Sequence, residues 1–256
     1  MTAQLARLGL EAARVPAIDA KSDLAAMQAR RSFPAPQDGV IFACNSEGRR
    51  YFLGEEACFQ SHLKALDAFL SSGAETALIL EDDAELAPDM PALLDAMARE
   101  ADLWDGVRLE SVGRRGARRA LKIAALPGGR MLVASLRPCS GASGYLVTRK
   151  GAERLIAAAD GLFVPFDTYL SSMGRHGLSF LDCAPSPVRQ TGASSMIHEA
   201  RDAGAAVPKG RASGLKARWR RLRADLARVT PRRRVFPRRY AGRNQGWVEA
   251  PWNRPW

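Results

Sequence analysis

The chain has no uninterrupted apolar run approaching the eighteen residues that a membrane-spanning helix requires, so no membrane span is predicted. Its four cysteines, Cys44, Cys58, Cys139 and Cys183, are far apart and form no Cys-x-x-Cys pair, so their spacing predicts neither a zinc site nor a redox motif. The N-terminus has no basic stretch followed by an apolar core, so no secretory signal is predicted. Together these absences predict a cytoplasmic protein with reduced thiols.

Acidic residues are nearly missing from one segment near the C-terminus. Residues 209–243 contain fourteen Lys and Arg but one acid, Asp225, and so carry a net charge of +13 against +11 for the whole chain. The other residues carry −2, so a nearly neutral body bears a strongly basic tail. We predict a body over residues 1–200, and a linker with a basic helical tail over residues 201–256.

Apolar residues recur every three or four positions within the basic tail. They are Leu215, Trp219, Leu222, Leu226 and Val229. This stripe predicts a basic amphipathic helix, which suits an anionic membrane surface, and Trp247, Trp252 and Trp256 would add interfacial anchors. Non-specific nucleic-acid binding and a solvated, disordered tail are the alternatives. The membrane surface is favoured because the apolar stripe has no use in a solvated tail.

Apolar runs that alternate with helical patterns predict the fold class. The clearest helix covers residues 55–72, and Gly73 follows its end. Its apolar face is formed by Phe59, His62, Leu63, Leu66, Phe69 and Leu70. Strands are predicted over residues 76–80, 107–109, 144–148 and 178–183. This alternation is typical of an α/β protein with a largely parallel sheet.

The most informative stretch is residues 76–86. Residues 77–80 are apolar and predict a buried strand, which stops at three consecutive acids, Glu81, Asp82 and Asp83. Ligands gather at the carboxyl ends of strands in such sheets. Clustered carboxylates repel one another there, and a hard divalent cation with oxygen ligands removes that conflict. The stretch indicates a Mg²⁺ or Mn²⁺ site for a phosphate-bearing substrate, although an acidic loop that solvates the strand end explains it equally.

Six short patterns occur in one order along residues 1–197. They are LGL (8–10) leading to PAID (16–19), EEACFQSHLK (55–64), ALILEDD (77–83), GYLVTRKGA (144–152), PFDTYL (165–170), and SPVRQ (186–190) with Ser194 and Ser195. Together they resemble glycosyltransferase family 25, the bacterial lipopolysaccharide and lipooligosaccharide galactosyltransferases related to the collagen galactosyltransferases. Each pattern is weak alone, but the ordered set is specific.

The resemblance implies a GT-A-like fold, with a Rossmann-type, mostly parallel sheet that is flanked by helices and binds a nucleotide-sugar. The implied reaction moves a hexose, typically galactose from UDP-galactose, to a saccharide or lipid-linked saccharide acceptor. Residues 81–83 look like the family's version of the Asp-x-Asp motif. In that interpretation Glu81 and Asp83 hold Mn²⁺ or Mg²⁺, and Asp82 contributes to donor binding. The basic tail would then hold the enzyme at the inner face of the membrane, where lipid-linked acceptors are.

Four more residues are candidates for the site. Asp167 matches the family's Pro-x-Asp segment and is our candidate general base for an inverting transfer, although it could instead cap the following helix. Ser61 and His62 match the family's Ser-His pair and are assigned to donor binding, but a histidine on an apolar helix face is more often a core residue. Tyr145 would stack on a base or sugar, or else belong to the core.

Two features depart from the family pattern. The family's opening strand, of the form Ile-Asn-Leu followed by an arginine-containing turn, has no counterpart, because Met1 already lies within the helix expected next. Residues 139–143 lack a histidine that the family often has there. Two rival interpretations remain, a catalytically degenerate scaffold and a nucleic-acid-associated protein that acts through residues 209–243.

Overall fold

The computed structural model describes residues 1–30, 40–41, 51–112, 117–136, 139–160, 164–172, 177–191, 240–243 and 245–252. The α-helices are Thr2–Arg7 (α1), Leu24–Arg30 (α2), Leu53–Ser71 (α3), Met90–Arg99 (α4), Arg149–Ala157 (α5) and Phe166–Ser172 (α6). The strands are Val40–Ile41 (β1), Tyr51–Phe52 (β2), Thr76–Leu80 (β3), Ala84–Leu86 (β4), Gly106–Arg108 (β5), Ala117–Ala125 (β6), Met131–Ser135 (β7), Gly144–Thr148 (β8), Phe180–Ala184 (β9), Val188–Gln190 (β10) and Trp247–Pro251 (β11). The predicted α/β class is confirmed.

Seven strands form the main sheet, in the order β11-β6-β7-β9-β5-β8-β3. Strands β5 and β9 pair parallel, and the other five pairs are antiparallel. The prediction of a mostly parallel, Rossmann-type sheet is therefore wrong for the described part of the chain. Strands β3 and β5 do run in the same direction and are joined through α4, but β8 lies between them in the opposite direction. The alternation of strands and helices along the sequence predicts that a helix connects β3 to β5. It does not reveal that a later strand, β8, pairs between them.

Strand β3, which leads into the acidic cluster, is an edge strand of the main sheet. Its five residues are all half-buried, whereas the sequence predicted a buried strand. The strand is more exposed than predicted because β8 is its one pairing partner among the described residues. Successive side chains of β3 still project from opposite faces of the sheet. Leu78 and Leu80 pack against one core, and Ala77 and Ile79 pack against the other.

Helices cover both faces of the sheet. On one face, α4 buries Met90 and Leu93 against the strands. On the other, α3 and α5 pack together and bury Phe59 and Leu155. Helix α3 forms as predicted, and Gly73 follows it with a φ of +77°, a left-handed conformation that favours glycine at a helix stop. The two layers of helices hold the strand ends that carry the candidate site.

The C-terminal residues return to the body of the protein. Strand β11 pairs antiparallel with β6, and Trp252, which follows it, is 1% exposed. The prediction that Trp252 anchors the chain to a membrane is therefore wrong, because its ring lies in a small core with Ala120. Arg243, the last cation of the basic segment, makes an ion pair of 3.3 Å with Glu100. Residues 240–243 and 245–252 thus pack on the body and do not extend the tail.

Residues 209–239 and Trp256 lie outside the described residues. The predicted amphipathic helix and the boundary near residue 200 therefore stay predictions. Among the described helices, none combines the length and the apolar composition needed to cross a membrane.

Replacing Trp252 with alanine is expected to lower the free energy of unfolding by about 3–5 kcal/mol. The change leaves a cavity in the small core that Trp252 shares with Ala120. Trp247→Ala is the matched control, since Trp247 is half-buried and its loss costs less. Urea denaturation of the wild type and both variants measures the difference. Equal losses for the two variants would contradict the burial of Trp252.

Candidate active site

Two strands that run in the same direction bring acids to one edge of the sheet. Glu81 follows β3 directly, and Glu110 lies two residues beyond β5. The turn before β8 connects them, because the Glu81 N–H donates to the Ser143 carbonyl (2.9 Å) and the Ser143 N–H donates to Glu110 Oε2 (3.0 Å). Glu110 was not predicted as a site residue, although its place just after the predicted strand 107–109 was an available signal.

Gly141 lets this turn approach Glu110 closely. Its φ of +113° lies in the left-handed region, and a Cβ at this position would lie 2.5 Å from Glu110 Oε2. A larger residue would therefore displace the carboxylate. Residues 139–143 cover Glu110 in this way, and its side chain is buried.

Asp82 and Asp83 occupy the turn between β3 and β4. The Ala84 N–H donates to the Glu81 carbonyl (3.2 Å), and the Thr191 N–H donates to the Asp83 carbonyl (3.0 Å). Strand β4 pairs with β10, so the main chain on the far side of the turn is anchored as well. Asp82 is exposed and Asp83 is half-buried, so the two carboxylates of the turn differ in environment.

The acids at this edge lie close enough for their charges to act on one another. Burial raises the pKa of Asp83, and the charges of Glu81 and Asp82 raise it further. Burial also raises the pKa of Glu110; hydrogen bonds from Ser143 oppose this shift, and the charges of Glu81 and Asp83 add to it. Asp83 Oδ1 is buried without a hydrogen-bond partner, and in the described ranges no Lys or Arg makes an ion pair with any of these acids. Such a set of oxygen ligands fits a hard divalent cation such as Mn²⁺ or Mg²⁺.

A histidine holds the Glu81 carboxylate. His62 Nε2 lies 3.1 Å from Glu81 Oε1, and the Tyr145 hydroxyl lies 3.3 Å from His62 Nδ1. The imidazole stacks on the Phe166 ring, with centroids 4.0 Å apart and planes inclined by 3°. The structure therefore brings three predicted site residues together. Tyr145 is fully buried, so its ring offers no open face to a base or sugar in this structure.

Ser61 lies apart from this group. Its hydroxyl accepts a hydrogen bond from the Ile18 N–H (2.9 Å) and donates to the Ala57 carbonyl (2.7 Å). Lys64 Nζ donates to the Pro16 carbonyl (2.9 Å), so both side chains attach the N-terminal segment to α3. Donor binding by Ser61 stays a prediction, and the contacts of its hydroxyl in this structure are structural.

Asp167 lies in the first turn of α6 and is half-buried. Its Oδ1 accepts from the N–H of the next residue, Thr168 (2.6 Å), whereas a helix cap accepts from the N–H two or three residues on. Asp167 follows Phe166, whose ring stacks on His62, and His62 contacts Glu81. Asp167 and Glu81 therefore border one region, which lies between α3, α6 and the end of β3.

Cys58 faces this region from α3, four residues before His62. The thiol is half-buried, and burial raises its pKa, with the charge of Glu81 as the next largest cause. One possible ligand atom from each of Cys58, His62 and Glu81 lies within 4.8 Å of the others. The region therefore combines a thiol and an imidazole with the carboxylates at the strand end.

The candidate site residues of this region fall within one family match. The sequence model of glycosyltransferase family 25 (LPS biosynthesis protein) matches residues 1–170, which is 170 of the 256 residues. The chain belongs to glycosyltransferase family 25. The matched range contains the acidic turn and Glu110, and it extends to Asp167. The resemblance stated from the sequence is thus confirmed, and family membership supports a glycosyltransferase of lipopolysaccharide biosynthesis. A search of curated proteins gave no significant match.

Asp83→Asn is expected to stabilise the metal-free protein at pH 7 and to have less effect near pH 4. The pKa of Asp83 is raised in the folded state, so the unfolded chain loses this proton first as the pH rises above the usual value of 3.8. Ionised Asp83 therefore destabilises the fold at neutral pH, and asparagine removes that penalty. Urea denaturation in EDTA at the two pH values measures the gain.

Glu85→Gln is the matched control for this experiment. Glu85 is a neighbouring acid whose pKa is lowered by its hydrogen bond to Arg189, so the control should lose stability at pH 7. Destabilisation by Asp83→Asn at pH 7 would mean that the Asp83 carboxylate supports the fold, which contradicts this account.

Proposed function

We propose that this member of family 25 is a metal-dependent hexosyltransferase, which moves galactose from UDP-galactose to a saccharide acceptor in lipopolysaccharide or surface-glycan synthesis. The observation that carries this proposal is the buried, unpartnered Oδ1 of Asp83 among carboxylates that no described cation neutralises. An arrangement of this kind destabilises the metal-free protein. It suits a protein that binds a divalent cation together with a phosphate-bearing substrate.

The residues that would hold Mn²⁺ or Mg²⁺ are Asp83 and Glu81, at the end of β3. A bound cation there would stabilise the negative charge of the departing nucleoside diphosphate. Asp82, exposed in the same turn, is suited to bind the donor. Glu110 lies behind them with a raised pKa and adds to the negative charge that attracts a cation.

His62 is proposed to position Glu81. Its Nε2 contact restrains one carboxylate oxygen, and the Tyr145 hydroxyl and the Phe166 ring restrain the imidazole in turn. A carboxylate restrained by hydrogen bonds presents its other oxygen in a fixed direction, which lowers the cost of ordering it on binding. In this role His62 acts on the donor site through Glu81.

Asp167 is proposed as the general base. Asp167 follows Phe166, whose ring stacks on His62 beside Glu81, and the Thr168 N–H donates to one of its oxygens. In the proposed reaction the acceptor hydroxyl oxygen attacks C1 of the sugar, its proton passes to Asp167, and the bond from C1 to the diphosphate breaks. The diphosphate leaves from the opposite face, so the configuration at C1 inverts.

We further propose that the enzyme works at the inner face of the membrane on a lipid-linked saccharide. The support is the charge of residues 209–243, which contain fourteen Lys and Arg and the apolar stripe that starts at Leu215. Nucleic acid is a less suitable partner, because an apolar stripe contributes nothing to phosphate contacts.

A catalytically silent relative is the second candidate. One observation favours it, namely that β3, which carries the acids, is a half-exposed strand at the end of the sheet. A folded chain that turns over no nucleotide-sugar, with or without Mn²⁺, would support this candidate.

Asp167→Asn tests the proposed reaction. The variant should bind UDP-galactose as the wild type does, yet transfer the sugar about 10²–10⁴-fold more slowly, because the amide cannot accept the proton. Release of UDP with a lipopolysaccharide-derived acceptor measures the rate, and Glu153→Gln, an exposed acid on α5, is the control. Transfer at the wild-type rate would remove Asp167 from the role of base.

A further inference from the structure

A thiol, an imidazole and a carboxylate converge beside the acidic edge. Cys58 and His62 are four residues apart on α3, so they project from the same side of the helix. Glu81 approaches them from the end of β3, with its Oε1 3.1 Å from His62 Nε2. One possible ligand atom from each of the three residues lies within 4.8 Å of the others. The carboxylate group proposed above makes no use of the thiol or of the imidazole as a metal ligand.

We propose that Cys58 Sγ, His62 Nε2 and a Glu81 oxygen form a second site, for a divalent cation of the zinc class. Zinc takes thiolate, imidazole and carboxylate ligands together, and three protein ligands leave a fourth position for water. Thiolate selects zinc or cobalt over Mg²⁺ and Mn²⁺, so the site differs in preference from the oxygen ligands of Asp83 and its neighbours. Ligand atoms of a tetrahedral zinc site lie about 3.5 Å apart, so distances of up to 4.8 Å between these atoms need to shorten by about 1.3 Å at most.

The surroundings of His62 suit a metal ligand. The ring nitrogen that does not face Glu81, Nδ1, lies 3.3 Å from the Tyr145 hydroxyl, and ligand histidines are oriented by such outer contacts. A phenol both donates and accepts hydrogen bonds. The Tyr145 hydroxyl can therefore donate to His62 Nδ1 in the metal-free form and accept from Nδ1–H in the bound form. The parallel ring of Phe166, 4.0 Å away, sets the plane of the imidazole. As the cation binds, the Cys58 thiol proton leaves to solvent, and the imidazole proton is exchanged from Nε2 to Nδ1, so the imidazole stays neutral.

Charge also favours a cation. Cys58 and Glu81 are half-buried, so neither residue is sealed in the core. The carboxylates of Glu55, Asp83 and Asp167 act on the thiol together with Glu81, and a divalent cation placed there would reduce their mutual repulsion.

Glu81 belongs to both sites, which couples them. A zinc-class ion draws Glu81 towards α3 and away from Asp83, so it should compete with Mn²⁺ at the oxygen site. This competition rests on the proposed function, whereas the thiol site itself does not.

Cobalt titration of the full chain, freed of metal with EDTA and then dialysed, tests the site. Bound Co²⁺ should produce a near-ultraviolet thiolate-to-cobalt charge-transfer band, and added Zn²⁺ should remove it. Cys58→Ser should abolish the band. Cys183→Ala, which removes a buried thiol elsewhere in the fold, should leave it unchanged.

Tyr145→Phe keeps all three ligands and loses the outer hydroxyl, so it should retain the band and weaken Co²⁺ binding about 10–100-fold. If Cys58→Ser does not fold, Glu81→Gln replaces it, since it keeps the thiol and should weaken Co²⁺ binding at least about tenfold. A folded wild type with a reactive Cys58 thiol and no charge-transfer band would overturn the proposal, and so would a band that persists in Cys58→Ser. These outcomes do not depend on whether the chain transfers sugar.

Discussion

Repulsion among the carboxylates of Glu81, Asp83 and Glu110 is the constraint around which this structure is organised. The main chain imposes it, because Ser143 bonds to both Glu81 and Glu110, and Thr191 holds the carbonyl of Asp83. No ion pair from a described Lys or Arg relieves it. The hydrogen bonds that hold the main chain of Glu81 and Asp83 do not involve their carboxylates, so the fold can keep these acids close together at a cost in stability. We attribute this cost to function, because a cation and its phosphate substrate would offset it.

The helices were easier to predict than the sheet, for a physical reason. Helix α3 shows a three-and-four residue period over five turns and a terminal Gly73, and both signals are local. Strand order depends on contacts between distant segments, and the insertion of β8 between β3 and β5 left no local trace. Strand β6 carries Arg119 and Lys122 and resembles a charged loop in sequence. It forms a strand because β7 and β11 pair with it on both sides.

The candidate site was predicted where its residues are neighbours in sequence and missed where they meet only in space. Glu81 and Asp83 are adjacent to one strand, whereas Glu110 joins them because β5 runs in the same direction as β3. The burial of His62 could be anticipated from the apolar helix face, but its contact with Glu81 could not. Ser61 follows Gln60 and precedes His62 on α3, and neighbours on a helix point about 100° apart, so its hydroxyl contacts Ile18 and not the His62 group.

Calorimetric titration of the folded chain with UDP, in Mn²⁺ and then in EDTA, tests the central claim most directly. The account predicts UDP binding that requires the metal, that Asp83→Ala abolishes, and that Glu85→Ala, a change in the next acid along the chain, leaves intact. Binding of equal strength in EDTA, or binding that survives Asp83→Ala, would contradict the assignment of the carboxylate group as a metal and donor site.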